Sequence, residues 1–279
     1  MSLLLKGASR QSLAVTRSAL EKIISGVDAS AAAKISADLF AMVKVLDSSS
    51  AARRALTDYA RDESAKSTLG KDIFKSLGSA QALEIFSKMA GLRWSSPRDF
   101  GNVLEFLGVQ ALVASAEKSG SLADLESEIF SVSETIAKSP ELRAFFAVRN
   151  VVSAPKSELL ASLLSGKVTQ ATLDLTSYLV DHPRGRNVEV GLNDFATAIA
   201  QIKDRQIAHV VSATALSAEQ ISRLAKSLTK TFGREIKVNA SVKQEVVGGI
   251  SIRVADELID GTLLTRISQA DRLLAGKNA

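Results

Sequence analysis

The chain has 279 residues, 46% of them hydrophobic and 23% charged, enough apolar material to build two or three cored domains. The absence of cysteine excludes disulfides, zinc–thiolate sites and thiol nucleophiles. A net charge of +5 conceals segregation: 15 Lys/Arg stand against 10 Asp/Glu over 1–100, 8 against 12 over 101–200, and 12 against 8 over 201–279. An acidic middle and an aromatic content of 5% argue against a continuous polyanion-binding face, and mixed charge of this kind marks solvated helix surfaces.

The opening Met1-Ser-Leu-Leu-Leu-Lys6 is too short for a signal-peptide core. No later segment has the roughly 18 uninterrupted apolar residues of a membrane span, so no direct membrane span is expected. From about 10 to 204 apolar residues recur at steps of three and four, and the pattern predicts helices throughout. Ile35, Leu39, Met42, Val43 and Leu46 form one stripe; Leu122, Leu125, Ile129, Val132 and Ile136 form another. Shifted by ninety positions, residues 39–90 bring their apolar columns onto the later stretch without a gap. Leu39 and Phe40 fall on Ile129 and Phe130, Leu46 on Ile136, Leu56 on Phe146, and Ile73-Phe74 on Leu163-Leu164. Leu83, Ile85 and Met89 fall on Leu173, Leu175 and Leu179. The match reads as a duplicated six-helix bundle.

Local stops support the helix pattern. Pro140 and Pro155 sit where a first helical turn tolerates proline. Gly120 and Gly166 end helices. Trp94-Ser-Ser-Pro-Arg98 and Asp181-His-Pro-Arg-Gly-Arg186 break the two copies at matching places. Trp94 reads as a packing plug, and Arg184-Gly185-Arg186 as a solvated turn with a structural arginine at 186. The sixth helix of the first copy is expected to run directly into the first helix of the second, around 98–119.

After Gln206 the pattern changes. Gln206 to Ala213, Glu235 to Val242 and Ile250 to Val254 alternate as strands. Ser217-Ala-Glu-Gln220 is a capping box opening a helix with Ile221, Leu224, Ala225 and Leu228 on one face. Asp260-Gly261 reads as a turn, with a closing helix over 262–275. The fold class expected is therefore mainly α: two tandem six-helix bundles (1–104 and 105–204) followed by a small α+β domain (205–279).

Nothing in the sequence points to catalysis. His182 lies in a Pro/Arg/Gly-rich break and His209 in a predicted strand, and both read as structural or exposed. No metal-ligand spacing occurs. Lys66-Ser-Thr68 and Gly70-Lys71 fail the P-loop pattern, because position 65 is alanine and 72 is aspartate. No catalytic residue, cofactor or metal is expected.

The tail carries the most specific signal: Gly248-Gly249, Ile250-Ser-Ile-Arg253-Val, Asp256, Leu258-Ile-Asp260-Gly261-Thr262 and Arg266. It resembles the C-terminal signature of the delta (OSCP) subunits of F-type ATP synthases, with Ala255 and Thr262 in place of the usual glycine and serine. The likeness extends over about 105–276. Residues 1–104 are extra, which is similar to the long actinobacterial form of the family. One departure is Gly108, where the family usually has tyrosine.

The resemblance implies a non-catalytic stator subunit, peripheral at the cytoplasmic face of the cell membrane through the ATP synthase complex. Its partners would be the N-terminal helices of the alpha subunits and the C-terminal helix of a b-type stalk subunit, with no nucleic acid. The family's groove between the first and fifth bundle helices would here use Ala111, Leu112, Leu175 and Leu179. The tail residues would build the last domain. The duplication suggests a second alpha-helix groove in the first copy. The alternative reading is a basic helical-repeat adaptor that binds nucleic acid or the helices of another assembly.

Overall fold

The computed structural model describes residues 5–147, 153–205, 207–232, 236–243, 248–254 and 257–260. Eleven helices come first: α1 (Gly7–Ser25), α2 (Ala29–Ser48), α3 (Ser50–Thr57), α4 (Glu63–Phe74), α5 (Ala80–Gly91), α6 (Pro97–Lys118), α7 (Leu122–Lys138), α8 (Pro140–Ala147), α9 (Ser153–Leu164), α10 (Gln170–Asp181) and α11 (Val188–Arg205). Then come β1 (Ile207–Ser212), α12 (Ala218–Phe232), β2 (Lys237–Val242), β3 (Ile250–Val254) and β4 (Glu257–Asp260). The chain is mainly helical with a small sheet at its C-terminal end. It divides into two compact units, Met1–Ala200 and Gln201–Ala279.

The helix starts follow from short polar caps. Asp28 accepts a hydrogen bond from the Ala31 amide at 2.7 Å, and Ser49 one from Ala52 at 3.1 Å, each satisfying an amide that the first turn leaves free. Ser96 caps α6 ahead of Pro97, whose missing N–H costs nothing at that position. Gly120 ends α6 in the left-handed region (φ 75°), and the Ser121 amide closes back on the Ala116 carbonyl at 2.8 Å.

Helix α6 is the axis of the helical unit. Phe100, Val103, Leu104, Phe106, Leu107, Val109, Ala111, Leu112 and Val113 are all buried, so it is enclosed on every side, with Glu105 and Gln110 as buried polar residues among them. The expected boundary after residue 104 falls inside this continuous helix, and the contacts join 1–200 in one unit. Helix α2 runs antiparallel along α6: Ser115 Oγ donates to the Ala29 carbonyl at 2.7 Å, and Ser36 Oγ to the Gly108 carbonyl at 2.8 Å. Gly108 permits this close approach. A Cβ there would lie 2.9 Å from the Phe40 ring, inside any normal contact, so a side chain at 108 would force the ring to move.

The core around α2, α4, α5 and α6 is aromatic. Phe74 packs on Phe86 at 4.5 Å between ring centres, and Phe86 meets Phe100 edge-on at 5.6 Å. Trp94 closes this core edge-on to Phe100 and donates its indole N–H to the Met89 carbonyl at 2.9 Å, the packing role read from the sequence.

Helix boundaries recur ninety residues apart. Helices α3, α4 and α5 reappear with the same lengths as α8, α9 and α10. A tertiary contact recurs with them. Asp38 on α2 accepts from the Ser79 amide at the start of α5, and Glu128 on α7 accepts from the Thr169 amide at the start of α10. Each acid satisfies amides that a helix start leaves free.

In the second unit the sheet order is β2-β1-β3-β4, with β1 and β2 parallel and the other pairs antiparallel. Ala208, Val210, Ile252 and Val254 are buried together with Leu228 of α12, while His209 and Arg253 point the other way. The capping box forms as expected: the Ser217 amide donates to Gln220 Oε1 at 2.8 Å, and the Gln220 amide to Ser217 Oγ at 3.2 Å. Strand β4 was not foreseen. Glu257–Asp260 pairs with β3 as a hairpin arm, so Asp260 ends a strand. Four residues with two apolar neighbours, Leu258 and Ile259, give no alternation to detect. The expected helix over 262–275 lies outside the described residues.

Candidate functional site

The four residues expected to line a groove between the first and fifth helices of the second bundle, Ala111, Leu112, Leu175 and Leu179, sit on α6 and α10 and are all buried. Helix α2 packs along α6 and also touches α10. Phe40 stacks on Tyr178 of α10 at 4.1 Å with rings 27° apart. One turn on, Lys44 lies 5.8 Å from the Tyr178 ring and 3.7 Å from the Asp181 carboxylate. Helix α2 of the N-terminal extension therefore meets the C-terminal end of α10 through Phe40 and Lys44.

Below Phe40 lies a buried ion network. Glu105 of α6, 1% exposed, accepts from Arg184 Nη1 at 2.9 Å, Arg186 Nη2 at 2.6 Å and the Tyr178 hydroxyl at 3.1 Å. Asp47, near the end of α2, accepts from Arg184 Nε at 2.6 Å, Arg53 Nη1 at 2.9 Å and His182 Nε2 at 3.0 Å. Arg186 also reaches Asp194 of α11 at 3.4 Å. Three carboxylates face three guanidiniums, so the charges balance where burial would otherwise make each ion costly.

The turn that presents the arginines is unusual. Arg184 (φ 53°) and Gly185 (φ 78°) are both left-handed, and the Arg186 amide closes on the Pro183 carbonyl at 3.0 Å. Two positive φ values in the middle of a tight turn are the mark of type I′, which a non-glycine residue adopts only when its side chain is held. The fork of Arg184, locked between Asp47 and Glu105, holds it. Gly101 makes room, because a Cβ there would lie 2.9 Å from Arg184 Nη2.

The electrostatics follow from these contacts. Burial alone would push the Asp47 carboxyl up; the His182 hydrogen bond and the Arg184 guanidinium override it and hold it at about 2. Burial lowers the tendency of Arg184 to stay charged, but the Glu105 and Asp47 carboxylates raise its pKa above the ordinary value. Burial, and then the Glu105 charge, push the Tyr178 hydroxyl up, so it remains a donor. A network of this kind joins α2, α3, α6, α10 and α11; it holds no nucleophile poised against a base.

Sequence reading placed a structural arginine at 186 and missed the rest. Arg184 is not solvated but locked in the network, and His182 is a partner of Asp47. Glu105, an acid within the apolar run from Val103 to Val113, was the available signal, since such a residue is retained only with partners. Among the tail residues, Gly248 (φ 150°) and Gly249 (φ 82°) are left-handed and lead into β3, where Arg253 is exposed. Asp256, Gly261 and Arg266 lie outside the described residues. Lys66, from the failed P-loop, is buried and donates to the Leu92 carbonyl at 3.3 Å.

An apolar concavity lies among α7, α8 and α9. A cleft of about 480 Å³ is lined by Val132 and Ile136 of α7, Leu142 and Phe146 of α8 and Leu160, Leu163 and Leu164 of α9, together with Lys167 and several hydroxyls. At one end, Glu128 accepts from the Thr169 amide at 2.9 Å, the Thr169 hydroxyl at 2.7 Å and the Thr172 hydroxyl at 2.6 Å. Burial pushes its carboxyl up, but these hydrogen bonds more than offset that and lower its pKa. Replacing Glu128 by alanine is expected to cost about 1–2 kcal/mol, the range of a lost cap, read as a lowered urea midpoint; an unchanged midpoint would show the contact to be incidental.

Fold and network together define a helical scaffold protein. Among the described residues no group of metal-ligating side chains and no helix able to cross a membrane occurs. The family model for the ATP synthase delta (OSCP) subunit matches residues 109–274. Proteins named ATP synthase subunit delta match nearly end to end. The one from Kineococcus radiotolerans is 38% identical over 97% of this chain and 98% of its own length. Those from Streptomyces griseus (35%) and Thermobifida fusca (38%) each align over 98% of this chain and 100% of theirs. The chain belongs to the ATP synthase delta (OSCP) subunit family.

Proposed function

We propose that the chain is a non-catalytic stator subunit of the peripheral stalk of an F-type proton-translocating ATP synthase. The observation that carries this is end-to-end similarity to ATP synthase delta subunits, extension included. The helical unit receives N-terminal helices of the alpha subunits, and the sheet unit holds the C-terminal helix of the b-type subunit at the cytoplasmic face of the membrane. Helices α1–α6 and α6–α11 are two copies of one bundle that share α6. The reading is supported by the ninety-residue recurrence of helices and by the paired Asp38–Ser79 and Glu128–Thr169 contacts.

Rotary catalysis exerts torque on the catalytic head, so a stator component has to be stiff. A shared helix and a buried, geometrically fixed ion network resist shear between the copies better than a loop linker does, because deformation separates paired charges in a poorly solvated place. The test is affinity purification of the tagged chain from membranes of the native bacterium. Alpha and b-type subunits are expected in the eluate, and membranes lacking the chain are expected to lose ATP-driven proton pumping. Fully coupled pumping without it would overturn the reading.

A further inference from the structure

We propose that the exposed face of α7 centred on Phe130 docks a helix of another subunit, one that carries an aromatic side chain and a lysine or arginine three residues further on. This rests on the proposed stator function, since the partner belongs to that assembly, and it adds a surface and the chemistry that surface selects.

The repeat supplies the template. Phe40 and Phe130 stand ninety residues apart, at equivalent places on α2 and α7. Helix α2 lies along α6, and α7 meets α11 in the matching way, Ser133 Oγ donating to Asn193 Oδ1 at 3.1 Å. What differs is the next layer. Phe40 is buried against α10, stacked on Tyr178 at 4.1 Å, and one turn on Lys44 lies 3.7 Å from Asp181, three residues beyond that tyrosine. Phe130 is 61% exposed, and Val190, one turn before Asn193 on α11, is 47% exposed. The ring that finds a helix in the first half meets water in the second, at a cost in apolar exposure that a docked helix removes.

The charges say which helix fits. At the place of Lys44 the second half has Glu134, and at the place of Asp47 it has Ala137. Lys44 faces an acid one turn beyond the aromatic ring, so Glu134 in the same position faces a base. Glu134 is otherwise paired only with Lys138 of its own helix, an exposed contact at 2.6 Å that an incoming cation replaces at little cost. Ala137 carries no charge, so the partner needs no counterpart of Arg184. A second copy of this chain does not offer the required helix. Its Tyr178 is already stacked on its own Phe40, and the equivalent place on α5 holds Lys88.

Hydroxyl-radical footprinting of the wild-type chain reads Phe130 directly, both free and within the ATP synthase complex purified through a tag on the chain. Oxidation of Phe130 is expected to drop about tenfold on assembly, as for an aromatic anchor from which water is excluded. Glu134→Lys is expected to raise that oxidation severalfold in the complex, with the circular dichroism of the free chain unchanged. Equal reactivity free and assembled, with alpha and b-type subunits present in the eluate, would overturn the docking face and leave the stator reading standing. Protection that grows with concentration in the free chain would also overturn it, because a second copy would then be the occupant. Protection in the complex that Glu134→Lys leaves intact would overturn the partner's stated chemistry.

Discussion

Replacing Glu105 by alanine is expected to destabilise the helical unit by about 3–5 kcal/mol, the range for removing one partner of a buried ion cluster. The loss exceeds that of an ordinary hydrogen bond because of what remains. Arg184 and Arg186, with side chains 12% and 16% exposed, would keep their charges and lose the carboxylate that compensates them. Tyr178 would lose its acceptor in a buried place. Arg184 would also lose half of the clamp that holds its left-handed backbone. Chemical denaturation of wild type and variant measures the difference directly. A Glu105→Ala chain within 1 kcal/mol of wild type would show that the network is slack and contributes no stiffness.

The second large effect appears in acid. The Asp47 carboxyl titrates at about 2 in the folded chain against an ordinary 3.8. A carboxyl whose pKa is depressed on folding contributes stability that is complete above its unfolded value and is lost as pH falls through its folded value. The stabilisation from Asp47 is therefore intact above about pH 5 and declines toward pH 2, by ~2 kcal/mol in all. Asp47→Asn keeps the shape and removes the titration. The stability difference between wild type and this variant should shrink across that window, read from urea midpoints at a series of pH values. A difference that stays constant from pH 6 to 2 would mean that Asp47 is not ionically engaged with Arg184 and His182.

Both experiments address the join between the two halves of the helical unit, and sequence reading was least informative there. Helices, their stops, the ninety-residue repeat, the capping box at Ser217 and three of the four strands were legible, because each depends on neighbours within a few residues. Apolar steps of three and four, proline at a first turn and glycine after a last turn act locally. The family tie was legible in the tail for a similar reason: glycines and turn residues at fixed spacing are hard to replace.

The meeting of α2 with α10 was not legible. Phe40 and Phe130 occupy equivalent places in the repeat, yet Phe40 is buried on Tyr178 while Phe130 is 61% exposed. No rule of spacing separates them; the difference is that another helix lies over one and not over the other. The same holds for Arg184, which reads as a solvated turn residue until Asp47, 137 positions away, is brought to 2.6 Å. The residues expected to line a groove between α6 and α10 illustrate the point again, since Ala111, Leu112, Leu175 and Leu179 are all buried.

By itself the sequence determined most of the helices, three of the four described strands, an apolar pattern that recurs at ninety residues, and the family to which the chain belongs. Only the tertiary structure decided that the break at 181–186 folds onto α2 and α6 in a buried ion network, and that Phe40 packs on Tyr178 while Phe130 stays exposed. Local pattern records which face of an element avoids water. Which element covers that face is set by contacts between residues far apart in the chain, and those come into being only when it folds.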